Sequence, residues 1–393
     1  MFVASKDMPL ATTITGSLPR PGWFVESLRG RAFTHAIGLD ADYREQYMDA
    51  IAALFSDQAA AGLDIFTDGD MRFDRDVAGR DWYGYLFDRL DGLGDIAIRA
   101  LPIPGAPQGK TPRTETPGDI LHEVQETRLP PVVTGPVGRG RLEYDAVWIT
   151  AQKLTRRPVK IGSCSAQMVD KLSVPGHYPD RRDAVMAFSD ALNAEYHALA
   201  DVGAPVIQVE EPCFHFLGEG EWDVSLDFYV DAFNREVKGL RDKTEVWCHT
   251  CWGNPFAQKL EAGYSYVAVL DFLARLDVDV VTFETADNNG AELADIAAAI
   301  GDDKKVCIGV VSHRTLDVET ADQVAGLIDK ALKHIAPERL ILSSDCGFGR
   351  QGMSRAHAFY KMVAIVQGTN QVRRALGLPE ADVPIADRRF SLL

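Results

Sequence analysis

Eight short apolar runs punctuate the chain, each closed by turn residues. They are ATTITGS (11–17), DIFTDGD (64–70), PVKIGSCS (158–165), APVIQVEEP (204–212), EVWCHTCWG (245–253), VDVVTFET (278–285), KVCIGVVS (305–312) and RLILSSDCG (339–347). Seven of the eight are rich in Val, Ile or Thr, which suit a pleated, packed surface. Their interiors are apolar at both alternations, the pattern of strands covered on both faces of a parallel sheet. Between them, apolar residues recur at i, i+3, i+4 spacing in YREQYMDAIAALFSDQAAAGL, RDAVMAFSDALNAEYHALADVG, AELADIAAAIGD and ADQVAGLIDKALKHIA. Several of these helices stop at glycine, a C-cap signal, and a last one is predicted near 354–376. Eight strands alternating with helices predict an α/β fold, the (β/α)8 TIM barrel, with an open doubly wound sheet as the alternative. The first run carries TGSLPRP rather than a glycine-rich dinucleotide fingerprint, and no P-loop is present.

The connection from about 71 to 157 is too long for one helix. Within it DWYGYLFDRLDGLG reads as helix. IAIRALPIPG and LPPVVTGPVGRG, rich in Pro and Gly, read as a hairpin-like insertion over one barrel end. Residues 1–393 are therefore expected to form a single barrel domain with a lid-like or simply structural insertion at about 75–157, after the second strand.

Composition narrows the function classes. Of 393 residues, 46% are hydrophobic and 25% charged, which excludes disordered and collagen-like chains. A formal charge of −16 argues against nucleic acid or an anionic membrane as the main partner. No apolar run reaches the roughly 18 residues needed to span a bilayer, and the N-terminus lacks a secretory h-region. The expectation is a soluble, cytoplasmic protein. Six cysteines in this length do not make a disulfide scaffold.

The chemistry lies at the ends of the strands. The fifth run ends in His249-Thr250-Cys251, and residues two apart on a strand share a face. The sixth run brings Glu284 and the eighth Cys346. One imidazole, two thiols and one carboxylate are thus expected at the face where barrel enzymes place their chemistry, as ligands of a zinc ion. Cys248 points the other way, toward the helices, and Cys164, Cys213 and Cys307 read as buried thiols. The other histidines have no ligand spacing, and only His215 stands near a strand end. Zinc on two sulfurs is a weaker Lewis acid than zinc on nitrogen and oxygen. It suits activation of a substrate thiol better than activation of water.

HTC, the Glu of VTFET and the Cys of SSDCG resemble the metal motif of the cobalamin-independent methionine synthase family. TTITGSLPRP and VIQVEEP resemble its first- and fourth-strand motifs, and the resemblance runs from about residue 10 to 375. It implies a (β/α)8 barrel with catalytic Zn2+ that moves a methyl group to the thiol of homocysteine, giving methionine. The length fits one barrel, like the short members rather than those with a duplicated N-terminal half. The resemblance also implies that homocysteine is held by Gly16 and Ser17 and by two carboxylates on its ammonium. Asp70 stands where the family has glutamate, and Glu210 where aspartate is usual. The neighbours Asp68 and Glu211 are not separated from them by the motif, although Glu211 is expected to face the helices. His313, one residue out of register with the family's histidine, is implied as the acid that protonates the donor's leaving nitrogen. The family's folate-stacking tryptophan is missing from GSCSAQMVDKLS, so the donor is methyltetrahydrofolate or a methylcorrinoid. Two competing functions remain at this level. One is transfer of an alkyl group to another thiol, such as coenzyme M with an epoxide, for which Arg20 or Arg72 would meet the sulfonate. The other is a non-catalytic zinc-binding protein.

Overall fold

The computed structural model describes residues 4–28, 30–73, 81–96, 131–212, 214, 224–252, 265–349 and 353–386. Cys213, His215, the middle of the expected insertion (97–130) and part of the FGRQG segment after Cys346 lie outside them.

Ten strands are described: β1 (Ala11–Thr12), β2 (Phe66–Thr67), β3 (Asp91–Ile96), β4 (Pro131–Gly138), β5 (Val159–Cys164), β6 (Val206–Glu210), β7 (Glu245–His249), β8 (Val280–Phe283), β9 (Lys305–Val311) and β10 (Leu340–Ser344). Eight of them form one parallel sheet in the order β1-β10-β9-β8-β7-β6-β5-β2. Those eight fall within the eight apolar runs. The sheet curls until its two ends meet. The Thr12 carbonyl accepts from the amides of Asp64 and Ile65, both at 3.1 Å. The Asp64 carboxylate returns the contact, accepting from the Thr12 amide and hydroxyl at 2.9 Å each and from Arg373 at 2.6 Å. The result is the expected (β/α)8 barrel.

Why the strands read as apolar on both faces is now visible. One face packs against the surrounding helices in the main core. The other fills the barrel with a separate small cluster drawn from successive strands: Ala11, Ile65, Val206, Trp247, Val280, Cys307 and Ile341, with Ala4 beneath. This interior is a packed core rather than a pore. The N-terminal segment plugs its lower end: the Glu245 carboxylate accepts from the Ser5 amide and hydroxyl and from the Trp247 indole.

The helices start and stop on local chemistry. Asp40 caps Ala41–Ala61 by accepting from the Tyr43 amide, and the helix ends at Gly62 in the left-handed region. Asp180 caps Arg181–Asp201 and Ser354 caps Arg355–Ala375. Thr320 and Gln323 form a capping box on Ala321–Ala331. Among the described residues no helix is long and apolar enough to cross a membrane.

Among the described residues after β2, one segment departs from the expected pattern. DWYGYLFDRLDGLG is helical only over Asp81–Phe87, and its DGLG opens β3, which pairs antiparallel with β4. The helical period ran out where two glycines entered, and there the chain makes a two-stranded ribbon whose backbones approach closely: a Cβ on Gly92 would lie 2.4 Å from the Pro136 carbonyl oxygen.

Candidate functional site

The C-terminal ends of β7, β8 and β10 converge, together with the turn after β1. His249 closes β7 with Cys251 two residues on, Glu284 follows β8, and Cys346 follows β10. The ligand atoms of His249, Cys251 and Cys346 all lie within 4.8 Å of one another, and the two sulfurs are 3.6 Å apart. All three side chains are buried. Neither ring nitrogen of His249 has a hydrogen-bond partner among the described residues. A buried imidazole left unsatisfied is costly, and two thiols with one imidazole are a soft donor set suited to zinc. These residues therefore fit the metal that the sequence implies.

Glu284 belongs to a second cluster. Its carboxylate, His313 and Cys346 lie within 4.8 Å of one another, so Cys346 is common to both groups. Glu284 is already held from two sides. One oxygen accepts from the Trp252 amide at 3.0 Å, and the other from Arg314 at 2.5 Å. Arg314 also reaches Asp287 at 2.9 Å. Tyr266 ties the two strand ends together. Its hydroxyl accepts from the Glu284 amide at 2.9 Å and lies 3.4 Å from the Thr250 carbonyl, while its ring packs on Trp252 and Phe283.

The electrostatics follow the geometry. A hydrogen bond from Cys251, with His249 nearby, holds the Cys346 thiol well below the ordinary cysteine value, and the same contact pushes Cys251 up. Burial opposes charge on His249, yet Glu210 and the groups around it hold the ring above its usual value. Burial pushes His313 down to about 3. Its two ring nitrogens have no hydrogen-bond partner among the described residues, so at neutral pH the ring is uncharged.

Of the candidate substrate residues, Gly16, Ser17 and Glu210 adjoin this group, and Asp70 is tied by Arg72 to the neighbouring strand end at the Gly162 carbonyl. Gly16 adopts a φ of 70°, and a Cβ there would come within 3.0 Å of the Gly347 backbone. The Gly16-Ser17 turn thus nests directly against the chain after Cys346, and the Ser17 carbonyl accepts from the Phe348 and Gly349 amides. The Ser17 hydroxyl is buried without a partner among the described residues. Glu210 ends β6 with a carboxylate oxygen 3.9 Å from His249 Nε2. Asp70 is held with a φ of 56°, a strained setting for a non-glycine residue. Its amide donates to the Asp68 carboxylate, and Arg72 grips both acids, at 3.2 Å (Asp68) and 3.0 Å (Asp70). Glu211 sits on the far side of β6, near Cys248 and Glu236 on the helix side of the barrel.

Four residues that the sequence did not single out have parts here. Arg314 braces Glu284. Asp345 accepts from the amides of Thr285, Ala286 and Asp287, which fixes the backbone just after Glu284. Lys160 and Gln208 stand beneath Glu210. Only Asp345 carried a signal, as the acid beside a ligand in SSDCG.

A profile of the cobalamin-independent synthase catalytic domain matches residues 114–368. The chain belongs to that family. Among curated proteins it is 30% identical over 372 residues to a methionine synthase of Saccharolobus solfataricus, covering 93% of this chain and 96% of that one. It is 26% identical over 379 residues to the methionine synthase of Sulfurisphaera tokodaii, again with 93% of this chain and 94% of that one covered. Among solved structures, a B12-independent methionine synthase from Shewanella sp. W3-18-1 in complex with selenomethionine shares the fold. It superposes with a TM-score of 0.73 at 24% identity, over 94% of this chain and 99% of that one. A B12-independent methionine synthase described as putative, from Listeria monocytogenes, gives 0.62 at 17% identity, over 91% and 96%. As a member of the cobalamin-independent synthase family, the chain is a methionine synthase-like methyltransferase.

Proposed function

We propose that this enzyme methylates the thiol of homocysteine to give methionine, with zinc held by His249, Cys251 and Cys346 and by Glu284, and with methyltetrahydrofolate or a methylcorrinoid as donor. The observation that carries the reading is the buried His-Cys-Cys group with Glu210 3.9 Å from His249. It supports a soft metal site with an acid for an amino group beside it. When bound, zinc would lower the pKa of a coordinating substrate thiol so that it is a thiolate nucleophile at neutral pH.

The chain's own residues orient the acceptor. Asp70 and Glu210 receive its ammonium, while Gly16 and Ser17 line its approach beside Cys346. The neutral His313 ring accepts a proton at one nitrogen and donates from the other. With methyltetrahydrofolate as donor it can therefore pass the proton released by the acceptor thiol to the leaving nitrogen without carrying a standing charge.

The arginines argue against a sulfonate acceptor. Arg20 donates to the carbonyls of Phe24, Phe73 and Glu26. Arg72 is engaged by Asp68, Asp70 and the Gly162 carbonyl. Both forks are committed inside the protein. The test is an assay of zinc-loaded protein with homocysteine and each donor in turn, with methionine followed by mass spectrometry. Methionine is expected with at least one donor. No methionine with either, together with alkylation of coenzyme M by an epoxide, would move the enzyme to the other thiol chemistry.

A further inference from the structure

Lys160 is a charged side chain inside the barrel, and nothing in the proposed chemistry requires it. It lies on β5, is 2% exposed, and its Nζ donates to the Ile14 carbonyl and to Gln208 Oε1, both at 2.8 Å. The Trp247 ring lies 4.9 Å away. Among the described residues no carboxylate stands within ion-pair distance of this ammonium. A buried cation hydrogen-bonded only to neutral groups is expensive, so packing alone does not account for it.

The hydrogen bonds have a direction. An ammonium only donates, so the Gln208 amide must turn its oxygen toward Lys160. Its nitrogen then faces Glu210 and donates to Oε1 at 2.8 Å. Glu210 is held through that oxygen, and its other oxygen stands 3.9 Å from His249 Nε2. The charges are matched as well. Asp68, Asp70 and Glu210 face Arg72 and Lys160, and Lys160 feels both Asp70 and Glu210. Taken as fully ionised, these five groups leave one negative charge, which matches one substrate ammonium.

We propose that Lys160 and Gln208 are positioning residues for the amino-acid acceptor: Lys160 locks the Gln208 amide, and Gln208 fixes the Glu210 carboxylate in the orientation that receives the substrate's ammonium. This rests on the assignment of Glu210 under the proposed function, and the experiment separates the two.

Affinities of zinc-loaded protein are measured by calorimetry for homocysteine and for 4-mercaptobutanoate, which is homocysteine without its amino group. Gln208→Leu is expected to weaken homocysteine about tenfold, the scale of one hydrogen bond to a charged group. Lys160→Met is expected to weaken it about threefold or more. Both variants should bind 4-mercaptobutanoate as the parent does and keep their zinc. The double variant should be no weaker than Gln208→Leu alone, because the two residues act in series. Equal weakening of both thiols, no weakening of homocysteine, or multiplying effects in the double variant would overturn the proposal. If Lys160→Met does not fold by circular dichroism, the contrast between the two thiols in Gln208→Leu still decides it. A parent protein that binds neither thiol would instead refute the proposed function.

Discussion

At the scale of single residues, the site is built from braces as well as from ligand residues. Asp345 is buried next to Cys346 and accepts three consecutive amides after Glu284. The space for its carboxylate exists only because residue 309 is glycine: a Cβ there would lie 2.0 Å from Asp345 Oδ1. Asp345→Asn turns an N–H2 toward at least one amide that now donates to an oxygen. It should destabilise the fold by about 1–3 kcal/mol, and Gly309→Ala should do so at least as much. Urea denaturation of the variants measures both, and unchanged midpoints would show that the acid is not a brace. The convergence of His249, Cys251 and Cys346 could be read from strand ends and the two-residue strand period. Arg314 and Lys160 could not, because no strand-end pattern marks them and each acts through a partner 30 or more positions away in sequence. Asp345 was marked only by its place beside Cys346, and its hold on the backbone after Glu284 was not legible. The second cluster around Glu284 was equally hidden, since no local pattern tells which side of a strand end an arginine from the next loop will reach.

At the scale of elements, the strands were legible because a parallel strand buried on both faces leaves an apolar run that few other structures produce. The helices were legible from period and caps. The segment 88–96 was not, because a short glycine-containing strand has neither signal. The seam between β1 and β2 is the thinnest part of the barrel, with both strands only two residues long. Asp64 clamps it by binding Thr12 twice and Arg373 once. Asp64→Ala leaves the buried Arg373 without its acid and the Thr12 amide without its acceptor. A loss of about 3 kcal/mol is expected, within the range for breaking a buried ion pair. Thermal melts should show it, and a shift of less than a degree would place the closure elsewhere.

At the scale of the whole molecule, one buried charge should be visible in the pH dependence of stability. Burial holds Lys160 down to about 8, against Cys307, Glu210 and Asp70, which push the other way. In an unfolded chain a lysine titrates near 10.4. Between these values the unfolded chain keeps a proton that the folded protein has shed. Raising the pH through that window therefore favours the folded state. The difference in unfolding free energy between parent and Lys160→Met should shift toward the parent by on the order of 3 kcal/mol from pH 7.5 to 10.5. Parallel pH profiles would show that the lysine is not titrating within the barrel. Nothing in PVKIGSCS marks that burial, because a lysine in a strand run reads equally as a solvent-facing position.

The central claim is that the two thiols and the imidazole at this barrel mouth hold zinc and leave it open to an incoming sulfur. X-ray absorption at the zinc edge, with and without homocysteine, tests it most directly. The expected result is about one zinc per chain on two sulfurs, rising to three when homocysteine is added, with the metal lost in Cys251→Ser. A sulfur count that homocysteine does not change, or zinc that survives removal of Cys251, would contradict it.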